Sequence, residues 1–114
     1  MAYVKGSPVT TVEKAITAQN QFTDWVRLPA KNRVNAFTAS LVDDSTTLNV
    51  IWVVQARRIK SDGSAGNIID VYTSPAAAAN GGLQTAQYAG TWEFRVGVKT
   101  GGYTAGTGVA ALSW

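Results

Sequence analysis

Seven carboxylates, Glu13, Asp24, Asp43, Asp44, Asp62, Asp70 and Glu93, are the main acid–base groups of a 114-residue chain with neither histidine nor cysteine. Glycoside hydrolysis needs two carboxyl groups facing each other across a cleft, about 5–9.5 Å apart. Nothing in the spacing pairs two distant carboxylates on one pocket. Asp43 and Asp44 adjoin and precede Ser45, which is turn chemistry. Without histidine the commonest general base and metal ligand is missing, and without cysteine there is no thiolate nucleophile or thiolate metal site. The loop Asp62-Gly63-Ser64-Ala65-Gly66-Asn67 offers one carboxylate, whereas calcium takes about six to eight oxygens, often from several acids. Its composition fits a hairpin loop better. The glycines of Gly101-Gly102-Tyr103-Thr104-Ala105-Gly106 lie between two candidate strands, not ahead of a helix, so they form no phosphate cradle and read as a turn. The expectation is a non-enzymatic chain with no catalytic residue, no metal and no cofactor.

Aromatic rings supply the remaining binding chemistry. Trp25, flanked by Asp24 and Arg27, together with Tyr72 and Tyr103, are candidate stacking platforms for a glycan. The net charge of +3 is scattered, with one cluster at Arg57-Arg58-Ile59-Lys60. Nucleic-acid modules concentrate positive charge on one face or helix, so no nucleic-acid partner is expected. No apolar run approaches the length of a membrane span, and the opening residues lack the apolar core of a secretion signal. We expect no membrane partner and a product made in the cytoplasm.

These side chains are positioned by strands. Turn residues recur about every 8–12 positions, and the segments between them alternate with period two, as in a sandwich or barrel. Candidate strands are Val12–Ala18, Phe22–Leu28, Arg33–Val42, Thr46–Ile59, Asn67–Thr73, Leu83–Tyr88, Trp92–Lys99 and Thr107–Trp114. The Ala76–Ala79 run between Pro75 and Asn80-Gly81-Gly82 reads as a loop or a single turn. The fold expected is all-β: one antiparallel β-sandwich of about eight strands over residues 12–114, preceded by an extended arm over residues 1–11.

Alternation also assigns faces. Leu48, Val50, Trp52, Val54 and Ala56 share one side, as do Trp92, Phe94, Val96 and Val98, and both sets are assigned to the core. Ile51 and Val53 fall on the opposite face among polar neighbours. A contiguous exposed pair of that kind marks either a partner surface or ground covered by a terminal arm of the same chain. Charged residues make up 15% of the chain, against about 25% in typical domains, so part of the outside must be neutral or apolar. Ile51, Val53 and, in the arm, Tyr3 and Val4 are the candidate protein contacts.

The stretch from Trp92-Glu93-Phe94-Arg95-Val96-Gly97-Val98-Lys99 through Gly102-Tyr103-Thr104-Ala105-Gly106-Thr107 to Leu112 resembles the closing strands of small structural proteins of tailed bacteriophages. Phe22-Thr23-Asp24-Trp25-Val26 and the long strand through Trp52 to Arg57-Arg58 are similar to that group as well, so the likeness covers residues 15 to 114. The resemblance implies a jelly-roll-like sandwich built into the virion. It further implies a capsid decoration or cement protein that stabilises the head shell, in contact with the major capsid protein or other virion proteins, as a homo-oligomer with a trimer favoured. The alternative it implies is a tail, neck or baseplate component with a glycan- or receptor-binding sandwich. Trp114 and the loop Pro75–Ala79 depart from the family pattern.

Overall fold

The computed structural model describes residues 10–28, 36–43, 48–75, 82–87 and 90–114. The chain is built of β1 (Thr11–Ile16), β2 (Gln21–Phe22), β3 (Val26–Leu28), β4 (Ala36–Asp43), β5 (Asn49–Arg58), β6 (Ile69–Thr73), β7 (Gly82–Gln87), β8 (Trp92–Ala105) and β9 (Gly108–Ser113). One sheet runs β1-β9-β4-β7; the other runs β2-β8-β5-β6, with β3 also paired to β8. All pairings are antiparallel. With β2 and β3 counted as one interrupted strand there are eight, and each successive strand except β6 crosses to the other sheet. That is the jelly-roll order of an antiparallel β-sandwich, as the sequence leads one to expect.

The core lies between the sheets. Leu48, Val50, Trp52, Val54 and Ala56 are all at most 1% exposed, and Phe94, Val96 and Val98 join them from β8. Ile16, Leu28, Phe37, Ala39, Leu41, Ala110 and Leu112 close the interior. The period-two pattern buries one side of each central strand, and burial of that apolar area drives the fold. Trp52 is the largest fully buried side chain. Its ring lies 5.1 Å from that of Tyr72, and its backbone N–H donates to Ser74 Oγ at 2.9 Å.

Two strands depart from expectation by more than their end residues. The stretch Phe22–Leu28 is interrupted: Thr23 leaves the strand and its Oγ1 accepts from Val96 N–H at 3.2 Å, while Trp25 folds over the sheet. β8 does not end at Lys99 but runs on to Ala105, pairing Tyr103 with Val50 and Ala105 with Asn49. Gly101, at φ +85°, makes a bulge opposite Ile51 instead of a turn. The bulge is tied down by the β1–β2 connection, where Gln19 Oε1 accepts from Gly101 N–H at 2.9 Å and Asn20 Oδ1 accepts from Thr100 Oγ1 at 2.6 Å. The turn expected there falls at Gly106, φ +90°. The Asp62 loop is a hairpin turn, with Asp62 Oδ1 accepting from both Ser64 N–H and Ser64 Oγ. The expected arm (residues 1–9 of it), Arg33, Asp44, the Ala76–Ala79 run and Tyr88 lie outside the described residues.

Candidate functional site

The outer face of the β2-β8-β5-β6 sheet carries a continuous polar and aromatic network. Glu93 on β8 stands opposite both Arg27 on β3 and Arg57 on β5. It accepts from Arg57 Nε at 2.7 Å and from Arg27 Nη2 at 3.1 Å. The Arg57 and Arg95 guanidiniums lie 4.2 and 4.6 Å from the centre of the Trp25 ring, and Arg95 also sits 4.0 Å from that of Phe22. Such cation–π contacts are worth about 0.5–2 kcal/mol each. Arg95 Nε donates to Gln55 Oε1 at 2.8 Å, Gln55 Nε2 donates to Asp70 Oδ1 at 2.9 Å, and Lys99 Nζ completes the chain on Asp70 Oδ2 at 2.8 Å. Burial and the nearby Arg57 charge hold the Arg95 guanidinium below its ordinary pKa, without neutralising it at physiological pH.

The carboxylates in this network titrate low. At Glu93 burial disfavours the charged form, but hydrogen bonds from Arg57 and Arg27 and their positive charges outweigh it, and the net shift is downward. Asp70 is lowered by its hydrogen bonds from Lys99 and then Gln55. A carboxyl whose folded pKa is depressed adds stability above its unfolded value, about 3.9–4.3. That stability is lost as pH falls through the folded value. Melting temperature should therefore hold from pH 7 to about 5 and drop below about pH 4. Glu93→Gln, which leaves two guanidiniums without their counter-ion, should melt lower at pH 7 and show a shallower acid slope. Thermal melts at pH 7 and pH 3 check this; an unchanged slope in the variant would rule Glu93 out as a source of the acid sensitivity.

The structure separates the candidate glycan platform. Trp25 is half-buried on the outer face with guanidiniums against its ring, whereas Tyr72 and Tyr103 pack against the core cluster. Tyr103 Oη donates to Gly106 O at 2.7 Å. The three rings do not form one surface.

Val53 corrects the expectation of a wet contact residue: it is 2% exposed. It pairs with Gly97, over which the backbone of Gln21 and Phe22 closes, and with Thr73 on the other side. A missing side chain opposite and close strands on both flanks bury it within its own sheet. Ile51 is half-buried and lines a shallow depression with Val53, Thr73, Lys99, Gly101 and Gly102. Tyr3 and Val4 lie outside the described residues.

The exposed apolar surface lies elsewhere. Among the described residues, the large hydrophobics that stand out of the protein are Val42 at 57%, Ile68 at 48%, Ile69 at 47% and Val71 at 47%. Three of these four fall within four positions at β6. Among the described residues β6 pairs with β5 alone, so it is an edge strand. A bulge between its pairings with Val54 and Gln55 leaves Val71 without a partner. Ile69 stands beside the fully buried Ala56 yet stays half exposed, because among the described residues no strand follows on its far side. Periodicity cannot find this patch: Ile68 and Ile69 adjoin instead of alternating, and edge status depends on which strands pair.

Among the described residues no three histidine, cysteine or acidic side chains gather where they could hold a metal ion, and no helix is long and apolar enough to cross a membrane. Comparison of the chain with family models, curated proteins and solved structures finds no match.

Proposed function

We propose that this chain is a non-enzymatic structural subunit of a virus particle, a decoration or cement protein seated on the outside of a tailed-phage head. The observation that carries the assembly role is the clustering of Ile68, Ile69 and Val71 on a sheet edge that is open among the described residues. An edge strand offers unpaired N–H and C=O groups, and proteins that stay apart blunt such edges with Lys, Pro, short strands or bulges. β6 carries no Lys or Pro, and its single charge, Asp70, is bound to Lys99; its brevity and the bulge at Val71 limit the regular edge it offers. The phage setting rests on the sequence resemblance over residues 15 to 114.

The mechanism is physical. A pre-folded sandwich that binds the assembled shell but not its free subunits shifts the equilibrium toward the shell by mass action. Purified chain should sediment with heads assembled from the co-encoded major capsid protein, saturably, and raise their disassembly temperature. If it does neither, the head placement is wrong; sedimentation with tails alone would move the chain there, and saturable binding of a host-surface glycan lost in Trp25→Ala would favour a receptor-binding module.

A further inference from the structure

We propose that Arg57 and Arg95, held against Trp25 on the outer face of the β2-β8-β5-β6 sheet, are the receptor for a carboxylate side chain, Glu or Asp, of a partner protein. The protein nature of the partner rests on the assembly reading above; the receptor itself can be tested without a shell.

The balance of charge carries the assignment. Three guanidiniums, those of Arg27, Arg57 and Arg95, gather around one carboxylate, Glu93. Both oxygens of Glu93 are already taken, Oε1 by Arg57 Nε and Oε2 by Nε and Nη2 of Arg27. Asp70, the other acid of the network, is held by Lys99 and Gln55. Among the described residues Arg95 therefore has no carboxylate. Its Nε donates to the neutral Gln55, and its guanidinium rests on the Phe22 and Trp25 rings. Arg57 and Arg95 each commit Nε, so among the described residues their four Nη nitrogens keep their donors unspent. Two like charges share one ring, and the Arg57 charge disfavours the charged form of Arg95. An anion placed between them relieves that repulsion and accepts charge-assisted hydrogen bonds.

The surroundings choose the ligand. A guanidinium is a planar fork that matches the two oxygens of a carboxylate. Gln55, 6% exposed, fixes Arg95, and the ring of Trp25 backs both arginines. Side chains already held in place lose little freedom on binding. A sugar asks for a bare aromatic platform, but Tyr72 and Tyr103 pack against the core and Trp25 has guanidiniums against its ring. An acidic side chain needs the donors alone. The cluster is within reach, since the Arg57 side chain is 27% exposed.

Hexaglutamate titrated at low salt, where charges are least screened, into the isotope-labelled full chain is the test. By nuclear magnetic resonance the Nε–H signals of Arg57 and Arg95 and the indole N–H of Trp25 should move together and saturate, with a Kd on the order of 1 mM. Arg57→Gln and Arg95→Gln should each weaken binding at least about five-fold. Lys14→Gln, which removes the same charge from an exposed site on β1 in the other sheet, should leave it unchanged. Should Arg95→Gln fail to fold, the wild-type titration and Arg57→Gln still decide. Arginine signals that stay still up to about 10 mM peptide, or an equal loss in Lys14→Gln, overturn the proposal. Tighter binding of inorganic phosphate or of hexagalacturonate at the same signals overturns it too, and makes the ligand a phosphate or an acidic glycan. Whether the wild-type chain sediments with heads decides the assembly reading separately.

Discussion

Trp52→Ala should lower the unfolding free energy by about 3–5 kcal/mol, the range for emptying a large aromatic site in a packed core. Trp52 is 1% exposed, lies at the middle of β5, and touches Tyr72 from the edge strand. Its removal takes away transfer energy and leaves a void that strands pinned on both sides by ladder hydrogen bonds can only partly close. Small domains are stable by about 5–15 kcal/mol, so the variant should sit near the edge of folding at 37 °C. Urea unfolding followed by circular dichroism measures the loss. A cost under about 1 kcal/mol would mean that the sheets collapse freely around the gap, contrary to the close packing described here.

Gly97→Ala is the second large effect, and nothing about it is conservative. A Cβ at position 97 would run into the Gln21 carbonyl oxygen and lie 2.6 Å from Phe22 Cα. Both obstacles are backbone, so no rotamer change relieves them. Either β2 lifts off β8 or the centre of β8 is pushed toward the core. Overpacking of this kind costs about 1–3 kcal/mol, and here it would also pull Phe22 away from Arg95. Denaturant unfolding should show the loss, and the fluorescence of Trp25, three residues on, should shift with it. A variant as stable as the wild type, with unchanged emission, would show that β2 does not close on Gly97 in solution.

The sequence is legible where two-residue alternation runs through long strands. From Leu48 to Ala56, and from Phe94 to Val98, every predicted inward side chain is buried. It misleads where burial depends on a neighbouring strand. Val53 alternates as a surface residue, but Gly97 opposite it has no side chain to hold the next strand away. The same limit hides the Glu93 cluster: Arg27, Arg57 and Glu93 lie 30 to 66 positions apart and meet because β3, β8 and β5 are neighbours. Gly101 reads as a turn because φ above zero serves turns and bulges alike. The edge at Ile69 and Val71 cannot be seen until strand order is known.

The seating of β9 between β1 and β4 has a consequence for biosynthesis. Among the described residues β1 has no partner in its sheet other than β9, with Thr11 opposite Ser113. Its hydrogen-bonding edge must wait until β9 has left the ribosome. Closing the sandwich thus carries a large loop-closure cost, on the millisecond-to-second scale of non-local β topologies. Nascent chains spend that interval with the β1-β9-β4-β7 sheet incomplete, so crowding by other nascent copies on a polysome is the stage at which this protein is most exposed to aggregation.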